Sequence, residues 1–556
     1  MTYLPPSQDG RPVLVLGPNP TPNGGMHLGH IAGPYLAGDV YARYQRARGR
    51  DVIFSTGTDD SQTFVTATAG RQGITRQKLC ADSTVKIRQA LTAMGISVDG
   101  FGPFDDGYRA TVLKYFTELY EAGKFQLRTV KLPYLERTGE FIVEGLVEGD
   151  CPVCLATCRG GLCETCCHPN NFDQLIDPHY TINSGEVDPV DAPIAMEVQI
   201  MVLPMEEYRE QLTAYHEKWA PYWRPHMVAM VRDVLSRPLL DLPITYPLDW
   251  GIRAPFPETR GQVLNAWLEL IPAGMYTTSY CAAQQGRPSE PGQLWLPEAN
   301  RRLVHFLGFD NAYFFCLAHM ALLMAHGDRY IRPESVLTNE FYELESEKFS
   351  TSKGHVLTPE DVLAEVPRDA LRLYLALTAP SYQRSTFSRV GLEKVAHGQL
   401  AEPWNRLVGI LSKQIANAQR GNGPLPVSPT GRQRAATILE RFDFCYEMPN
   451  YNLNQCAQTL LTHVSRLARI AGELDIRGID EQPDAWGDLF LQVKTVLAAA
   501  SPILIDLAAQ IRQSLGFDGA LTGDAYDVTE ISPFVPPLLL ATQTGTPGSG
   551  ETAADG

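Results

Sequence analysis

Residues 13–30 read Val13-Leu14-Val15-Leu16-Gly17-Pro18-Asn19-Pro20-Thr21-Pro22-Asn23-Gly24-Gly25-Met26-His27-Leu28-Gly29-His30. The apolar run predicts a buried strand, the Pro, Asn and Gly residues predict a loop, and the pattern that follows predicts a helix over about 28–47. The two histidines at its first turn share one face. Free backbone N–H groups and the positive dipole end of a helix start suit a phosphate. The alternative is an ordinary strand-to-helix turn with chance histidines.

A second strand and a polar turn follow this helix. Val52-Ile53-Phe54 predicts a short strand that runs into Gly57-Thr58-Asp59-Asp60-Ser61. Open α/β sheets bind their ligands at this carboxyl end of the strands. Helical patterns continue to about residue 123. The alternation of strand and helix predicts an α/β fold with a doubly wound, parallel, Rossmann-type sheet.

Length and composition indicate a globular protein of several domains, because 556 residues exceed one hydrophobic core. The net charge of -16 argues against broad, non-specific binding of nucleic acid, although a local basic face could still hold an RNA. The N-terminal residues lack a secretory pattern, and Pro502 and Asp506 interrupt the longest apolar tract, around 496–509. We therefore expect a cytoplasmic protein with no membrane partner.

Six of the 11 cysteines fall between residues 151 and 167. Two C-x-x-C pairs separated by eight residues predict a zinc knuckle, because each pair can turn two thiolates to one side and four complete a tetrahedron. The predicted ligands are Cys151, Cys154, Cys163 and Cys166. Cys158, Cys167 and His168 are further candidates, the pattern admits a second ion, and a redox or chance cluster is the alternative. Four closed ligands predict a structural Zn²⁺ rather than a catalytic one.

The rest of the chain divides by its patterns. Strand-like pieces around the cysteines, including Phe141-Ile142-Val143, predict an inserted domain, after which residues 263–268 read as helical within a returning α/β pattern. Apolar stripes then predict a helix bundle. The predicted segments are 1–124 (first half of the catalytic domain), 125–245 (zinc-knuckle insertion), 246–388 (second half), 389–536 (all-α bundle) and 537–556 (disordered tail).

Two motifs together carry a family resemblance. His27-Leu28-Gly29-His30 resembles the HIGH signature of class I aminoacyl-tRNA synthetases, and Lys348-Phe349-Ser350-Thr351-Ser352 resembles their KMSKS signature. The zinc insertion between the two halves of the sheet, and Asp249-Trp250-Gly251 after it, are similar to methionyl-tRNA synthetases in particular. The resemblance extends over about residues 12–520 and implies a class I synthetase fold.

The resemblance also implies a reaction, in which an amino-acid carboxylate attacks the α-phosphate of MgATP to give aminoacyl-AMP and pyrophosphate. Residue by residue, it implies these roles: His27, His30, Lys348 and Lys353 are catalytic, Gly29, Asp310, Ser350 and Ser352 bind ATP, and Asn19, Thr21, Asp59, Trp267, Asn311 and Phe315 bind the amino acid. The implied cofactors are ATP, Mg²⁺ and a structural Zn²⁺. A solvated Asp59 with no such role is the alternative at that position.

The predicted amino-acid pocket departs from the family pattern. Methionine enzymes read Leu-Pro-Tyr-x-Asn-Gly before the HIGH motif, whereas this chain has Asn19-Pro20-Thr21-Pro22-Asn23-Gly24. The family's pocket histidine aligns with Phe315, and Asn311 stands where an aliphatic residue is common. A polar Asn facing a thioether would be poorly satisfied, at a cost of roughly 1 to 3 kcal/mol. We therefore expect a substrate other than methionine.

Positions that touch tRNA in the family also differ. Tyr246 replaces an arginine near the acceptor end, Gly409 and Lys413 align with anticodon-reading Asn and Arg, and a tryptophan element is stretched to Gln482–Trp486. Because base readout needs hydrogen-bonding or stacking groups, we expect an acceptor other than an elongator tRNA. Similar synthetase-like proteins of small-molecule biosynthesis imply an amine or hydroxylamine as the acceptor. We also expect the ligase to be a monomer. The alternatives are a genuine methionine–tRNA ligase and a non-catalytic RNA-binding or regulatory protein.

Overall fold

The structure is a computed structural model that describes residues 9–170, 174–181, 193–344, 347–348, 356–419, 421 and 423–540. The strands are β1 (Val13–Leu16), β2 (Val52–Gly57), β3 (Gly100–Gly102), β4 (Gln126–Leu135), β5 (Glu140–Phe141), β6 (Val147–Asp150), β7 (Thr157–Arg159), β8 (Ile176–Tyr180), β9 (Ile194–Leu203), β10 (Leu242–Pro243), β11 (Thr245–Tyr246), β12 (Val263–Leu264), β13 (Arg302–Gly308), β14 (Ser335–Asn339), β15 (Tyr342–Leu344), β16 (Glu347–Lys348), β17 (Ser385–Phe387), β18 (Leu425–Pro426) and β19 (Glu530–Ile531).

The α-helices are α1 (Leu28–His30), α2 (Leu36–Ala47), α3 (Thr63–Gln72), α4 (Arg76–Ala93), α5 (Asp106–Glu121), α6 (Arg209–Trp219), α7 (Pro225–Leu235), α8 (Ala266–Gln284), α9 (His319–Ala325), α10 (Pro359–Leu363), α11 (Arg368–Leu377), α12 (Arg389–Glu393), α13 (Glu402–Asn417), α14 (Pro429–Tyr446), α15 (Leu453–Leu474), α16 (Pro483–Ala500) and α17 (Ile505–Leu515). Segments of π-helix join α1 to α2 (Ile31–Tyr35), precede α9 (Phe314–Ala318) and precede α13 (Lys394–Ala401). None of the helices within the described ranges is long and apolar enough to cross a membrane.

A parallel sheet organises the N-terminal part of the chain. Its strand order is β14-β13-β1-β2-β3, and every pairing is parallel. All residues of β1 and β2 are buried, as expected for a parallel sheet covered on both faces. Because β1, β2 and β13 are parallel neighbours, the loops that follow their carboxyl ends all begin on the same side of the sheet. The predicted doubly wound parallel sheet is therefore confirmed.

Two local predictions for the catalytic part of the chain were wrong. Val263 and Leu264 form β12 instead of a helix, and α8 begins at Ala266, because the Asn265 side chain accepts from Trp267 N–H and caps the helix. The prediction also missed the edge strand β3 before residue 123. This strand is three residues long and two of them are Gly, so it carries no alternating pattern.

The inserted segment contains two small antiparallel sheets. One has the order β10-β9-β4-β5, in which β4 and β9 form a long ladder, and the other has the order β7-β6-β8 and carries the cysteines. Of the strand predicted at Phe141–Val143, only Phe141 lies in the observed strand β5 (Glu140–Phe141), which pairs with β4. A closed hydrophobic core under these sheets includes Cys151, Cys158 and Cys163.

The chain groups into two compact units. The first comprises Met1–Val356, Ala379–Thr386 and Asp443–Leu453, and the second comprises Leu357–Thr378, Phe387–Phe442 and Asn454–Gly556. The second unit is mainly helical, as predicted, and its apolar stripe on α13 is buried at Trp404, Leu407 and Leu411. The five segment boundaries given above stay predictions. Of the predicted disordered tail, residues from 541 onward lie outside the described part of the chain.

Candidate active site

The two histidines stand at the start of a short helix that continues through an irregular turn. Helix α1 gives way at once to the π-helical segment Ile31–Tyr35, inside which Gly33 is non-helical (φ -85°, ψ -114°). A Cβ at Gly33 would lie 2.6 Å from the Asn339 amide nitrogen at the end of β14, so only glycine fits without a shift. Turns of π-helix inside α-helices are often found at functional sites.

Backbone hydrogen bonds fix the tautomer of both imidazoles. His27 Nδ1 accepts from Gly29 N–H at 3.1 Å, and His30 Nδ1 accepts from His27 N–H at 3.2 Å. An accepting Nδ1 leaves the proton of a neutral imidazole on Nε2. Burial lowers the pKa of His30 to about 4, so this ring is neutral at physiological pH. The ring centroids are 3.9 Å apart, and the two Nε2–H groups form a paired set of donors.

The carboxyl end of β13 carries a second group of predicted site residues. Gly308 ends the strand, and the turn Phe309–Asn311 follows as a 3-10 helix. Within it, the Asn311 amide donates to Asp310 Oδ1 at 3.0 Å. Asp310 and Asn311 are therefore one hydrogen-bonded pair at the sheet edge that also carries the end of β1.

The predicted aromatic pocket residues Trp267 and Phe315 both contact His319. The Trp267 ring at the start of α8 stacks on Phe314, with centroids 4.5 Å apart and planes 5° apart. Phe315 contacts the buried His319 at 4.6 Å between centroids. His319 Nε2 lies 2.7 Å from the Trp267 carbonyl oxygen, and no hydrogen bond reaches its buried Nδ1 from any described residue. Burial lowers the pKa of His319 to about 4. No motif in the sequence marks this histidine as a pocket residue.

Asp59 is buried rather than solvated. Its backbone N–H donates to Pro20 O at 3.2 Å, which joins the end of β2 to the loop after β1, and Gln62 donates to its Oδ2 at 2.6 Å. Asn19 approaches the same strand end at Gly57. Burial raises the pKa of Asp59 well above its usual range, and the neighbouring carboxyls of Asp60 and Glu144 raise it further.

Two further buried carboxyls that the sequence analysis missed surround Asp59. Glu269 on α8 is fully buried and accepts from Ser61 Oγ at 2.9 Å. Burial, followed by the Asp59 charge, raises its pKa well above the usual range. Glu144, from the insertion, is 3% exposed and takes a left-handed φ of 51°. Within the described part of the chain, Asp59 Oδ1 and Glu269 Oε1 have no hydrogen-bond partner, so this acidic group suits a cationic ligand.

Glu144 gives a testable pH dependence. Burial raises its pKa to about 8, so between roughly pH 4.5 and 8 the folded chain holds a proton that the unfolded chain has released. Stability therefore falls as pH rises through this window. We expect Glu144→Gln to flatten the fall and to stabilise the protein by on the order of 3 kcal/mol at pH 8. Thermal unfolding at pH 5 and pH 8 measures it. The exposed Glu121→Gln is the control, and equal pH slopes in all three proteins would contradict the assignment.

The lysine-bearing motif is only partly described. Helix α1 contacts β15, and β15 pairs with β16 so that Glu343 stands opposite Lys348. The backbone of Lys348 is therefore brought to the histidine end of the sheet. Lys353, Ser350 and Ser352 lie outside the described residues.

The four predicted zinc ligands form one cluster. The sulfur atoms of Cys151, Cys154, Cys163 and Cys166 all lie within 4.8 Å of one another, with Cys151–Cys166 at 3.8 Å and Cys154–Cys163 at 3.7 Å. A tetrahedral Zn²⁺ with bonds of about 2.3 Å needs sulfurs about 3.8 Å apart. The donor set therefore fits a closed zinc site. Cys158, Cys167 and His168 are not part of this four-sulfur group.

Comparison with known proteins identifies the family. A family described as "tRNA synthetases class I (M)" matches residues 13–410. The chain belongs to this family. Relatives named "Methionine--tRNA ligase" include one from Thermomicrobium roseum, 28% identical over 91% of this chain and 87% of the relative, and one from Salinibacter ruber, 32% identical over 77% and 61%. A third, from Christiangramia forsetii, is 32% identical over 66% of this chain and 53% of its own length.

A solved structure is also similar to this synthetase-family chain. Mycobacterium tuberculosis methionyl-tRNA synthetase in complex with methionyl-adenylate superposes with a TM-score of 0.70 at 18% identity, covering 95% of this chain and 99% of that one. The predicted class I synthetase fold is confirmed by this likeness. The predicted class of enzyme, an ATP-dependent ligase related to methionyl-tRNA synthetases, is confirmed by the family match. The roles of individual residues stay predictions.

Proposed function

We propose that this chain activates an amino acid as an aminoacyl adenylate. A substrate carboxylate oxygen forms a bond to the α-phosphorus of ATP, and the bond from that phosphorus to the leaving pyrophosphate breaks. The observation that carries the proposal is the pair of imidazoles at the start of α1, whose Nδ1 atoms each accept a hydrogen bond from a backbone N–H group. Both Nε2–H groups can then donate to phosphate oxygens as charge develops, without reorganising.

The other ATP contacts are those that the family resemblance implies. Gly29 lacks a side chain and leaves room for adenine, while Asp310 can accept from a ribose hydroxyl. Lys348 and Lys353, with Ser350 and Ser352, would neutralise and hold the pyrophosphate. Mg²⁺ would arrive with ATP and supply further charge neutralisation on its phosphates. Little covalent chemistry is asked of the protein, because positioning the two reactants supplies much of the rate.

The amino-acid end of the site is proposed to recognise a substrate other than methionine. Asp59 would hold the α-ammonium, and its buried, unpartnered Oδ1 within the described chain supports that role. Phe315, Asn311 and Trp267, with Asn19 and Thr21, would form the walls around the side chain. The buried Nδ1 of His319 next to this group favours a substrate that can form a hydrogen bond, because an unsatisfied polar group costs about 1 to 3 kcal/mol.

The acceptor is proposed to be something other than an elongator tRNA. Support comes from the helical unit, where Lys413 is held by Asp475 at 2.8 Å and Gly409 offers no side chain for base contacts. Trp486 is fully buried in α16, so its ring is not available to stack on a base. Tyr246, which replaces an arginine, is buried in β11 as well. A small-molecule amine or hydroxylamine would need none of these contacts.

ATP–pyrophosphate exchange with each amino acid, followed by charging assays with total tRNA, tests this proposal. We expect exchange with a substrate that has a polar side chain, a kcat/KM for methionine about ten- to a hundredfold lower, and no tRNA charging. If methionine is the best substrate in pyrophosphate exchange, the proposal that the pocket recognises a different amino acid is wrong. Absence of exchange with every amino acid would overturn adenylation and favour a non-catalytic RNA-binding or regulatory protein.

Methionine–tRNA ligase activity is the second candidate. It is favoured by the relatives that carry this name, one of which aligns over 91% of this chain. The same assay separates the two candidates, because this one requires methionine-dependent exchange together with methionylation of tRNA. In both candidates the four-cysteine cluster would hold Zn²⁺ as a structural ion, since all four ligand positions are protein thiolates.

A further inference from the structure

Cys167 joins the zinc knuckle to the turn that carries Asp310. It directly follows the predicted ligand Cys166, is fully buried, and takes a left-handed φ of 57°, which is rare for a residue other than glycine. Its N–H donates to Cys163 O at 2.8 Å, and Cys163 N–H donates to His168 O at 3.0 Å. The backbone of Cys167 is therefore tied to the turn that presents two of the metal ligands.

The thiol of Cys167 fills a gap in the turn after β13. Tyr313 N–H donates to Cys167 Sγ at 3.1 Å, and the Cys167 S–H donates to Phe309 O at 3.2 Å. Residues 313 and 309 are the N–H and C=O that an α-helical turn joins directly. Here the sulfur stands between them, and Phe309 O accepts the shorter 3-10 bond from Ala312 instead. The thiol thus adds a bridge from Phe309 to Tyr313 beside the 3-10 hydrogen bond that the backbone makes by itself.

The bridged turn holds the residues of the proposed nucleotide and substrate contacts. Asp310 and Asn311 lie between the two groups that the sulfur bridges. On its other side the knuckle is anchored by His168, whose Nε2 lies 2.8 Å from Asp233 Oδ2 on α7. The knuckle is therefore held at both ends, and the Cys167 thiol makes hydrogen bonds from it to the Phe309–Tyr313 turn.

We propose that Cys167 is a positioning residue whose thiol sets the turn around Asp310 and makes this turn depend on the metal in the four-cysteine cluster. Zinc fixes Cys163 and Cys166, their turn fixes Cys167, and Cys167 fixes the Phe309–Tyr313 turn. The contacts described above are sufficient to couple the turn to the cysteine cluster. Its effect on ATP binding rests on the proposed function of Asp310.

Hydrogen exchange of the segment 309–313, followed by mass spectrometry, tests the inference without substrate. We compare the full-length wild type with Cys167→Ala and Cys167→Ser, each zinc-loaded and after chelation. In zinc-loaded protein, Cys167→Ala should speed exchange of the Tyr313 amide about three- to tenfold, the loss of one net hydrogen bond. Serine, which also donates and accepts, should restore part of the protection. Chelation should speed exchange in the wild type but add nothing in Cys167→Ala.

The buried Cys158→Ser is the matched control, because Cys158 lies in the same knuckle without contacting this turn, and it should leave exchange at 309–313 unchanged. A second readout is the KM for ATP in pyrophosphate exchange, which should rise in Cys167→Ala more than kcat falls. Equal exchange in wild type and Cys167→Ala, or an equal effect of chelation on both, would overturn the coupling. If Cys167→Ala does not fold, Cys167→Ser and the chelated wild type give the same comparison. If the wild type shows no ATP–pyrophosphate exchange, the proposed function is refuted. The hydrogen-exchange result for residues 309–313 would remain valid.

Discussion

Replacing His30 by alanine will lower the rate of ATP–pyrophosphate exchange by about 100- to 1000-fold, the usual cost of removing one preorganised donor to a developing oxyanion. The reason lies in the geometry of the helix start. His30 Nδ1 is occupied by the His27 N–H, and burial lowers the pKa of His30 to about 4. Its role is therefore that of a neutral Nε2–H donor, and the alanine variant has no group that reaches the same point.

Glutamine separates this role from a general effect on the fold. A His30→Gln variant can place an amide N–H near the position of Nε2, so it should retain more activity than alanine while losing the bond from His27 N–H. The exposed His397→Ala on the helical unit is the control and should leave exchange unchanged. Thermal unfolding of all variants checks that the fold is intact. Near wild-type exchange in folded His30→Ala protein would refute the donor assignment.

The pH profile gives the same argument an independent test. A neutral donor with a pKa of about 4 loses its function only when protonation changes the Nδ1 acceptor into a second donor. No limb of the pH–rate profile between pH 6 and 8 should then be attributable to His30. An acidic limb near pH 6.5 that vanishes in His30→Gln would instead mean that the imidazole titrates as an exposed histidine does.

Local spacing was enough to place some parts of this site and not others. Three features could be predicted because each is encoded within a few consecutive residues. They are the spacing of His27 and His30, the apolar strand β1 and the two C-x-x-C pairs. Glu144 and Glu269 gave no such signal, because a single acidic residue in an apolar segment becomes informative only when folding buries it next to Asp59. Both approach Asp59 from elements more than 80 residues away in the chain.

Long-range contacts also explain the incorrect or missed predictions at Val263–Leu264 and His319. Val263 and Leu264 fit a helical pattern, but their strand is set by pairing with Thr245 and Tyr246, a partner that lies outside any local window. His319 was missed because it sits one turn beyond the aligned position of Phe315, where only the three-dimensional contact with the Trp267 carbonyl gives it meaning. Contacts with residues distant in the chain thus determined the secondary structure at Val263–Leu264 and the environment of His319, which the periodicity of the sequence does not specify.

Replacing Cys154 by serine will remove the bound zinc and destabilise the insertion, although Cys154 contributes almost nothing to the core. Cys154 is exposed, whereas Cys151 and Cys163 are fully buried in the core of the insertion. A serine at an exposed site changes little packing, so any large loss of stability reports the metal alone. Structural Zn²⁺ contributes about 10 to 16 kcal/mol of apparent binding free energy in small zinc peptides, and three remaining ligands keep only part of it.

Zinc content by elemental analysis and limited proteolysis of residues 147–180 measure this effect. We expect about one zinc per chain in the wild type, little in Cys154→Ser, and faster cleavage of the β6–β8 region in the variant and in chelated wild type alike. Cys158→Ser is the matched control, because its sulfur lies in the same core but outside the four-sulfur group. It should keep its zinc and lose only packing energy.

The two serine variants also decide between ligand sets. If Cys158→Ser lacks zinc while Cys154→Ser retains it, Cys158 is the ligand and Cys154 is not. Two zinc ions per wild-type chain would mean that Cys158, Cys167 or His168 completes a second site. The distances argue for one ion, because four sulfurs within 4.8 Å of each other already satisfy one tetrahedron. Because four thiolates fill all four coordination positions, neither water nor substrate can bind the metal. Loss of the zinc should therefore change activity only through the fold of the insertion.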